Sequence, residues 1–215
     1  MKVLVVASAK GGSGKSLVTA NIAARLAKRK GERVAMIDLD STQGTLTKWW
    51  EARGRPGAPY LLEDSRSLVS DLRTLAADGY TWCVIDTPPL DMKVIEFAVM
   101  SADFVVMPVI LSTPDLDSSK TIVALCSKRR RKYAYLINSF DSRPTFKKVN
   151  ADGLAMIPRG AVLKTRLPDS PKFREGWNVG KAGADTDKAL AAVLDEVIDE
   201  IRAEIAPTKG AAANG

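Results

Sequence analysis

Seven residues near the start of the chain, Lys10-Gly11-Gly12-Ser13-Gly14-Lys15-Ser16, combine three glycines with two lysines and two hydroxyls. These types suit an anion. Glycines let the backbone bend tightly, so several N–H groups can point at one phosphate. Lys15 adds a full positive charge near the β/γ-phosphates of a nucleotide, and Ser16 a hydroxyl for Mg²⁺. The general pattern G-x-x-x-x-G-K-[ST] requires a glycine at position 9, where this chain has Ala9. A second lysine, Lys10, opens the loop instead. Three carboxylates complete the set. Asp86 follows the apolar run 82–85, and Asp38 and Asp40 follow the run 34–37. Mg²⁺ takes a few oxygens and keeps several waters, so Asp86 suits a water-mediated metal contact. Side chains alternate along a strand, so Asp38 and Asp40 could face the same way. One would then support the metal shell and the other orient a water. Phosphoryl transfer needs mainly positioning and charge neutralisation, which these groups would supply. A single aspartate at such a place can equally be a helix cap or turn residue. The three together with the glycine loop point to nucleotide chemistry.

Elements must hold these residues in place. Residues 3–7 are continuously apolar and read as a buried strand entering the loop, and 17–30 read as the helix leaving it. Lys28, Arg29 and Lys30 suit the negative end of that helix, and Gly31 stops it. Further strands are expected at 34–37, 60–62, 82–85, 104–109 and 133–137, with helices at 45–53, 65–77, 93–100 and 115–127. The stretch 143–181 is harder to read, with one short strand expected at 154–157. Residues 185–205 form an amphipathic helix pattern, and 206–215 read as a frayed tail. Strands alternating with helices, several of them apolar throughout, predict an α/β fold. It would be a single P-loop NTPase domain with a mostly parallel central sheet and helices on both faces. Ligands in such sheets bind at the carboxyl ends of the strands, where the loop and the three aspartates fall.

Composition narrows the function. The chain has 215 residues, enough for one domain with a full core, and a net charge of +7 that permits an anionic partner. There is no histidine, which excludes His-based triads and metal sites. Cys83 and Cys126 lie far apart inside apolar segments and read as buried thiols of a reducing cytoplasm. No apolar run reaches the roughly 20 residues of a membrane span, and the N-terminus lacks a signal-peptide pattern. A soluble, cytoplasmic protein is expected.

The loop with its early lysine resembles the deviant Walker A motif, K-G-G-x-G-K-[ST], of the ParA/MinD superfamily. Asp38-Leu39-Asp40-Ser41-Thr42-Gln43-Gly44 is similar to the D-x-D-x-Q-G segment of ParA proteins. Trp49 and Trp50, Ile85-Asp86-Thr87-Pro88-Pro89, the stretch 108–114 and Asn138 also fit. Thr165-Arg166 and residues 175–181 match the family's late basic loop loosely, so the resemblance spans residues 1–205. It implies an ATP-dependent homodimer that sandwiches two ATP molecules with Mg²⁺, with Lys10 reaching the partner's phosphates. A cation that arrives only on dimerisation would couple association to nucleotide state. Nucleotide contacts are implied for Gly11, Gly12, Ser13, Gly14, Lys15, Ser16 and Leu17, and an adenine contact for Asn138. Metal-shell roles are implied for Ser16, Asp38 and Asp86. Asp40 matches the position whose loss blocks hydrolysis, which makes Lys10, Lys15 and Asp40 the catalytic set.

Within that superfamily the residues favour one branch. An iron–sulfur reductase needs a displayed cysteine pair, and neither cysteine qualifies. A MinD-like membrane ATPase needs a basic C-terminal amphipathic helix, whereas here Asp195, Glu196, Asp199, Glu200 and Glu204 line the polar face. Anionic lipid repels such a face, so no membrane partner is expected. A metabolic ligase on the same fold, such as dethiobiotin synthetase, needs a small-substrate pocket that no motif marks. Between positions 143 and 181, nine Lys/Arg face only Asp152, Asp169 and Glu175, a bias that suits DNA phosphates. The DNA-binding candidates are Lys164, Arg166, Lys172, Arg174 and Lys181, with the run 128–132 a second patch. Because the loop begins almost at Met1, the resemblance is to the small ParA class without an N-terminal helix-turn-helix. A ParB-like adaptor that stimulates ATPase, nucleoid association and a positioned cargo are the expectations. The cargo could be a plasmid, a chromosome, a protein cluster or a microcompartment.

Overall fold

The computed structural model describes residues 1–62 and 67–206. In chain order the elements are β1 (Lys2–Val6), α1 (Lys15–Leu26), β2 (Val34–Asp38), α2 (Thr45–Ala52), β3 (Tyr60–Leu61) and α3 (Leu68–Ala77). Then come β4 (Trp82–Asp86), α4 (Met92–Ser101), β5 (Phe104–Val109), α5 (Thr113–Lys128) and β6 (Tyr133–Ile137). The remainder is helical: α6 (Lys147–Ala155), α7 (Lys172–Glu175), α8 (Gly183–Thr186) and α9 (Lys188–Ile205), with 3₁₀ turns at Pro144–Phe146 and Trp177–Val179. Among the described residues, six strands form one parallel sheet in the order β3-β2-β4-β1-β5-β6. Thus β1, carrying the glycine loop, lies centrally, with β4 and its terminal Asp86 hydrogen-bonded beside it.

The strands are apolar throughout because both faces are covered. Successive residues of β4 alternate, with Trp82 and Val84 in one buried cluster and Cys83 and Ile85 in the other. The first cluster packs α1, α2 and α9 on one face; the second packs α3, α4 and α5 on the other. Both cysteines are buried and free, as expected.

The C-terminal helix packs on the domain. Its stripe Leu190, Leu194, Val197, Ile198 and Ile201 is buried. Its acidic face meets the basic end of α1, where Arg25 and Arg29 both bind Asp195 and Arg29 also binds Asp199. Residues 28–30, expected inside α1, lie beyond its last helical residue, and Lys28 turns to pair with Asp185.

One expected element is absent. Leu154 and Ala155 end α6 instead of starting a strand, and Met156 caps it. The short apolar run carries no strand alternation, and Leu154 and Ile157, three apart, pack together on the second cluster. The edge of β6 is instead met by an irregular segment, with bridges from Tyr135 to Val162 and from Phe140 to Pro168. The expected helix over 65–77 starts at Leu68, residues 65 and 66 lying outside the described residues. The tail over 206–215 also lies outside them, apart from Ala206.

Candidate functional site

The glycine loop joins the end of β1 to α1, and Gly14 is its hinge. Gly14 precedes the first turn of α1 with φ 90°, where a Cβ would meet the Asn138 amide at 2.3 Å. No side chain caps α1, so its first N–H groups stay available to an anion. Gly11 and Gly12 have open space where a side chain would stand. The Lys15 ammonium donates to the Lys10 carbonyl at 3.2 Å. Burial lowers its pKa, against the pull of Asp86, Asp40 and Asp115. The buried Ser13 hydroxyl has no hydrogen-bond partner among the described residues. Lys10 itself is half exposed, its ammonium 3.8 Å from the buried Asp115 carboxylate at the start of α5.

The three aspartates take different positions. Asp86 is buried, accepting from Ser16 Oγ at 2.5 Å and from Thr19 Oγ1 at 3.4 Å. Burial raises its pKa to about 7, opposed by the Ser16 hydrogen bond and Lys15 and reinforced by Asp38 and Asp40. Asp40 borders the cavity and accepts from the Gln43 N–H. Asp38 is occupied in holding the chain: it accepts from the Thr47 N–H and hydroxyl, both at 3.0 Å, and from the Asp40 N–H. Burial raises its pKa, against those three hydrogen bonds. Strand alternation therefore does not carry to Asp40, because β2 ends at Asp38.

Of the three aspartates, Asp40 alone lines a cavity of ≈ 430 Å³, together with glycine-loop residues, Gln43, Pro89, Arg174 and Trp177. An adjoining cavity of ≈ 160 Å³ is bordered by Leu17, Asn138, Pro168, Asp169 and again Arg174. Asn138 is buried there and donates from Nδ2 to the Ser13 carbonyl at 3.0 Å. The structure thus brings Asn138 against the loop.

The five basic candidates have different neighbours. Lys164 and Arg166 lie on the edge segment beside β6, with Arg166 stacked on Phe140 at 4.5 Å. Lys172 pairs with Asp187, which caps α9. Lys181 lies beside α2, its carbonyl facing the Trp49 indole N–H at 3.4 Å. Arg174 borders the cavities. Sequence reading passed over Thr19, Asp115, Trp177 and Asp169. Thr19 was accessible, one helical turn after Ser16 and so on the same face of α1; the others carry no local signal.

Comparison with known proteins decides the family. Residues 4–181 match the model of the CbiA family, the CobQ/CobB/MinD/ParA nucleotide binding domain. The chain belongs to this family. Its relatives include a maintenance of carboxysome distribution protein A of Halothiobacillus neapolitanus, 28% identical over 92% of this chain and 95% of that one. Protein IncC of Escherichia coli is 27% identical over 94% of this chain and 70% of its own length. Among solved structures, a putative plasmid partition protein from Borrelia burgdorferi bound to AMPPNP has a TM-score of 0.75 at 17% identity, covering 94% of this chain and 99% of that one. The MinC:MinD complex of Aquifex aeolicus gives 0.74 at 23% identity, over 97% and 98%. These two likenesses show the fold.

As a ParA/MinD-family ATPase, the chain has donors that fit the expected ligands. The Ser16 hydroxyl and Asp86 carboxylate are hard oxygen donors of the kind Mg²⁺ takes. The buried Lys15 and the unpartnered Ser13 hydroxyl suit a polyphosphate. No helix among the described residues is long and apolar enough to cross a membrane.

Proposed function

We propose that this chain is a ParA-type ATPase that dimerises on binding ATP and binds DNA without sequence preference as that dimer. It releases DNA on hydrolysis and so positions a cargo over the nucleoid. The domain responsible spans residues 1–205. The observation that carries the reading is the loop: a lysine–glycine cradle floored by Lys15, with a second lysine, Lys10, half exposed beside it. In the proposed complex, residues 11–17 hold the phosphates through backbone N–H groups and Lys15, and Asn138 contacts the adenine. Ser16 and Asp86 hold Mg²⁺, with Asp38 supporting its shell through the loop. Mg²⁺ would supply neutralisation of polyphosphate charge. Asp40 orients the water that attacks the terminal phosphorus as the bond to ADP breaks. Lys10 contributes its charge to the partner protomer's nucleotide, leaving Asp115 to do so.

DNA contacts fall to Lys164, Arg166, Lys172 and Lys181, with Arg174 the fifth cation of the same stretch. An adaptor protein, ParB-like in role, links cargo to dimer and accelerates hydrolysis. Near full-length similarity to a carboxysome distribution protein supports a large protein assembly as cargo. The acidic, packed α9 argues against the MinD-like membrane alternative. Co-sedimentation with plasmid DNA and with anionic liposomes, each under ATP, ADP and no nucleotide, tests the reading. DNA pelleting in ATP alone is expected; liposome binding without DNA binding would overturn it.

A further inference from the structure

We infer that Arg174 is a nucleotide-binding residue, its guanidinium contacting the phosphates of a nucleotide seated in the cavity at the glycine loop. The inference rests on the proposed nucleotide reading of that cavity. Arg174 borders the phosphate cavity together with Gly11, Gly12 and Lys15, and the adjoining cavity together with Leu17, Asn138 and Asp169. Among the described residues, it is the one charged side chain common to both. A ligand that fills both cavities meets it in each.

The surroundings hold its backbone and leave its side chain largely exposed. Phe173, next to it, is 4% exposed and fills the first core cluster. Phe173 packs so closely on Gly183 that a Cβ there would lie 2.6 Å from the ring. The Arg174 N–H donates to the Pro171 carbonyl at 2.8 Å. Among the described residues its guanidinium has one acidic partner, Asp169, at 3.4 Å, with side chains 66% and 46% exposed. So exposed a pair is weakly held and readily exchanged for a better anion. A planar guanidinium fork matches phosphate oxygens in pairs. Lys172, two residues earlier, differs: it pairs with Asp187 and borders neither cavity. The charges of α7 are therefore divided, and Arg174 leaves the DNA-facing set.

The test is fluorescence titration of wild type, Arg174→Gln and Arg174→Lys with the mant derivative of ATP in Mg²⁺. A second titration follows a short duplex DNA at saturating ATP. Loss of one charged contact to phosphate predicts about a tenfold or greater weakening of mant-ATP binding in Arg174→Gln. Arg174→Lys, which keeps the charge, should recover part of it. DNA affinity at saturating ATP should stay within about twofold of wild type, the scatter of a surface change outside the DNA contacts. Unchanged mant-ATP affinity in both variants overturns the inference, as does a loss confined to the DNA titration. Failure of wild type itself to bind mant-ATP would overturn the nucleotide reading of the cavity along with it. Melting temperatures show which variants are folded, and Arg174→Lys keeps the test open should the glutamine variant be unstable.

Discussion

At the scale of single residues, position and partner decide what an acidic group can do. Asp40 borders the cavity beyond the last residue of β2, while Asp38 is committed to three hydrogen bonds and Asp86 to Ser16. Asp40 is therefore the carboxylate to which the proposed water-orienting role falls. Asp40→Ala should bind Mg·ATP with little change and lose at least about 100-fold in phosphate release, the scale of a removed acid–base or water-orienting group. Equilibrium binding and a phosphate-release assay check the two halves; loss of ATP binding would remove Asp40 from that role. Asp185 is a structural contrast. Burial pushes its pKa up, but hydrogen bonds from Arg53, Lys28 and the Ala182 N–H overrule this and bring it down to about 2. A carboxyl depressed by folding stabilises the protein above its unfolded pKa near 3.8, and that contribution fades as pH falls through about 2. Discounted for solvent screening, it is worth about 1–2 kcal/mol. Asp185→Asn should lower the urea midpoint at pH 6 and bring the two proteins together as pH approaches 2. A constant gap between their midpoints across that range would show that ionisation is not the cause.

At the scale of elements, α2 and the segment after α7 form one unit around the cavity. Trp49 of α2 stacks on Trp177, with ring centroids 5.8 Å apart, and Arg53 donates to the Gly180 carbonyl at 2.8 Å and binds Asp185 at 2.6 Å. Gly180 makes the approach possible. Its φ is 67°, and a Cβ would lie 2.1 Å from the Arg53 nitrogen. Gly180→Ala should cost about 2–4 kcal/mol from left-handed backbone and overpacking together. Thermal melting should drop by roughly 5–15 °C for a domain this size, with changed tryptophan emission as the stack opens. An unchanged melt would mean that the contact is not tight in solution. This unit also marks where sequence reading stopped. Strands β1, β2, β4, β5 and β6 were legible because each is apolar on both faces, and β2 and β4 also end at an aspartate. Residues 143–181 were not, because their short helices and turns are set by tertiary neighbours such as Trp49, Gly183 and Phe140, which no local pattern encodes. The strand expected at 154–157 was lost for the same reason, and Arg174, legible only as one more basic residue, acquired its place from that packing.

At the scale of the whole molecule, the proposed function requires a nucleotide site in the middle of the sheet to govern DNA binding at the periphery. Lys10 is the proposed link. In the single chain it lies 3.8 Å from its own Asp115, a contact with one side chain 48% exposed and therefore easily given up. Across a dimer it would instead meet the partner's phosphates, so that ATP and association favour each other. The cations proposed for DNA then double. Lys164 and Lys181 have no ion-paired carboxylate among the described residues, Arg166 rests on Phe140, and Lys172 must first leave Asp187. With Arg174 turned to the nucleotide, a dimer presents at most eight such cations, which limits the slope of log affinity against log salt to about −7. A single chain has half that number, and a limit of about −3.5. Lys10→Ala should accordingly bind ATP yet sediment as a monomer. Its residual DNA binding should be far weaker and have about half the wild-type salt slope, because one array of contacts replaces two. Sedimentation velocity with ATP reads the first effect and duplex titration from 50 to 200 mM salt the second. A variant that dimerises normally would break the link between Lys10 and association. A monomeric variant with an undiminished salt slope would mean that one chain already makes all the phosphate contacts and that dimerisation does not gate DNA binding.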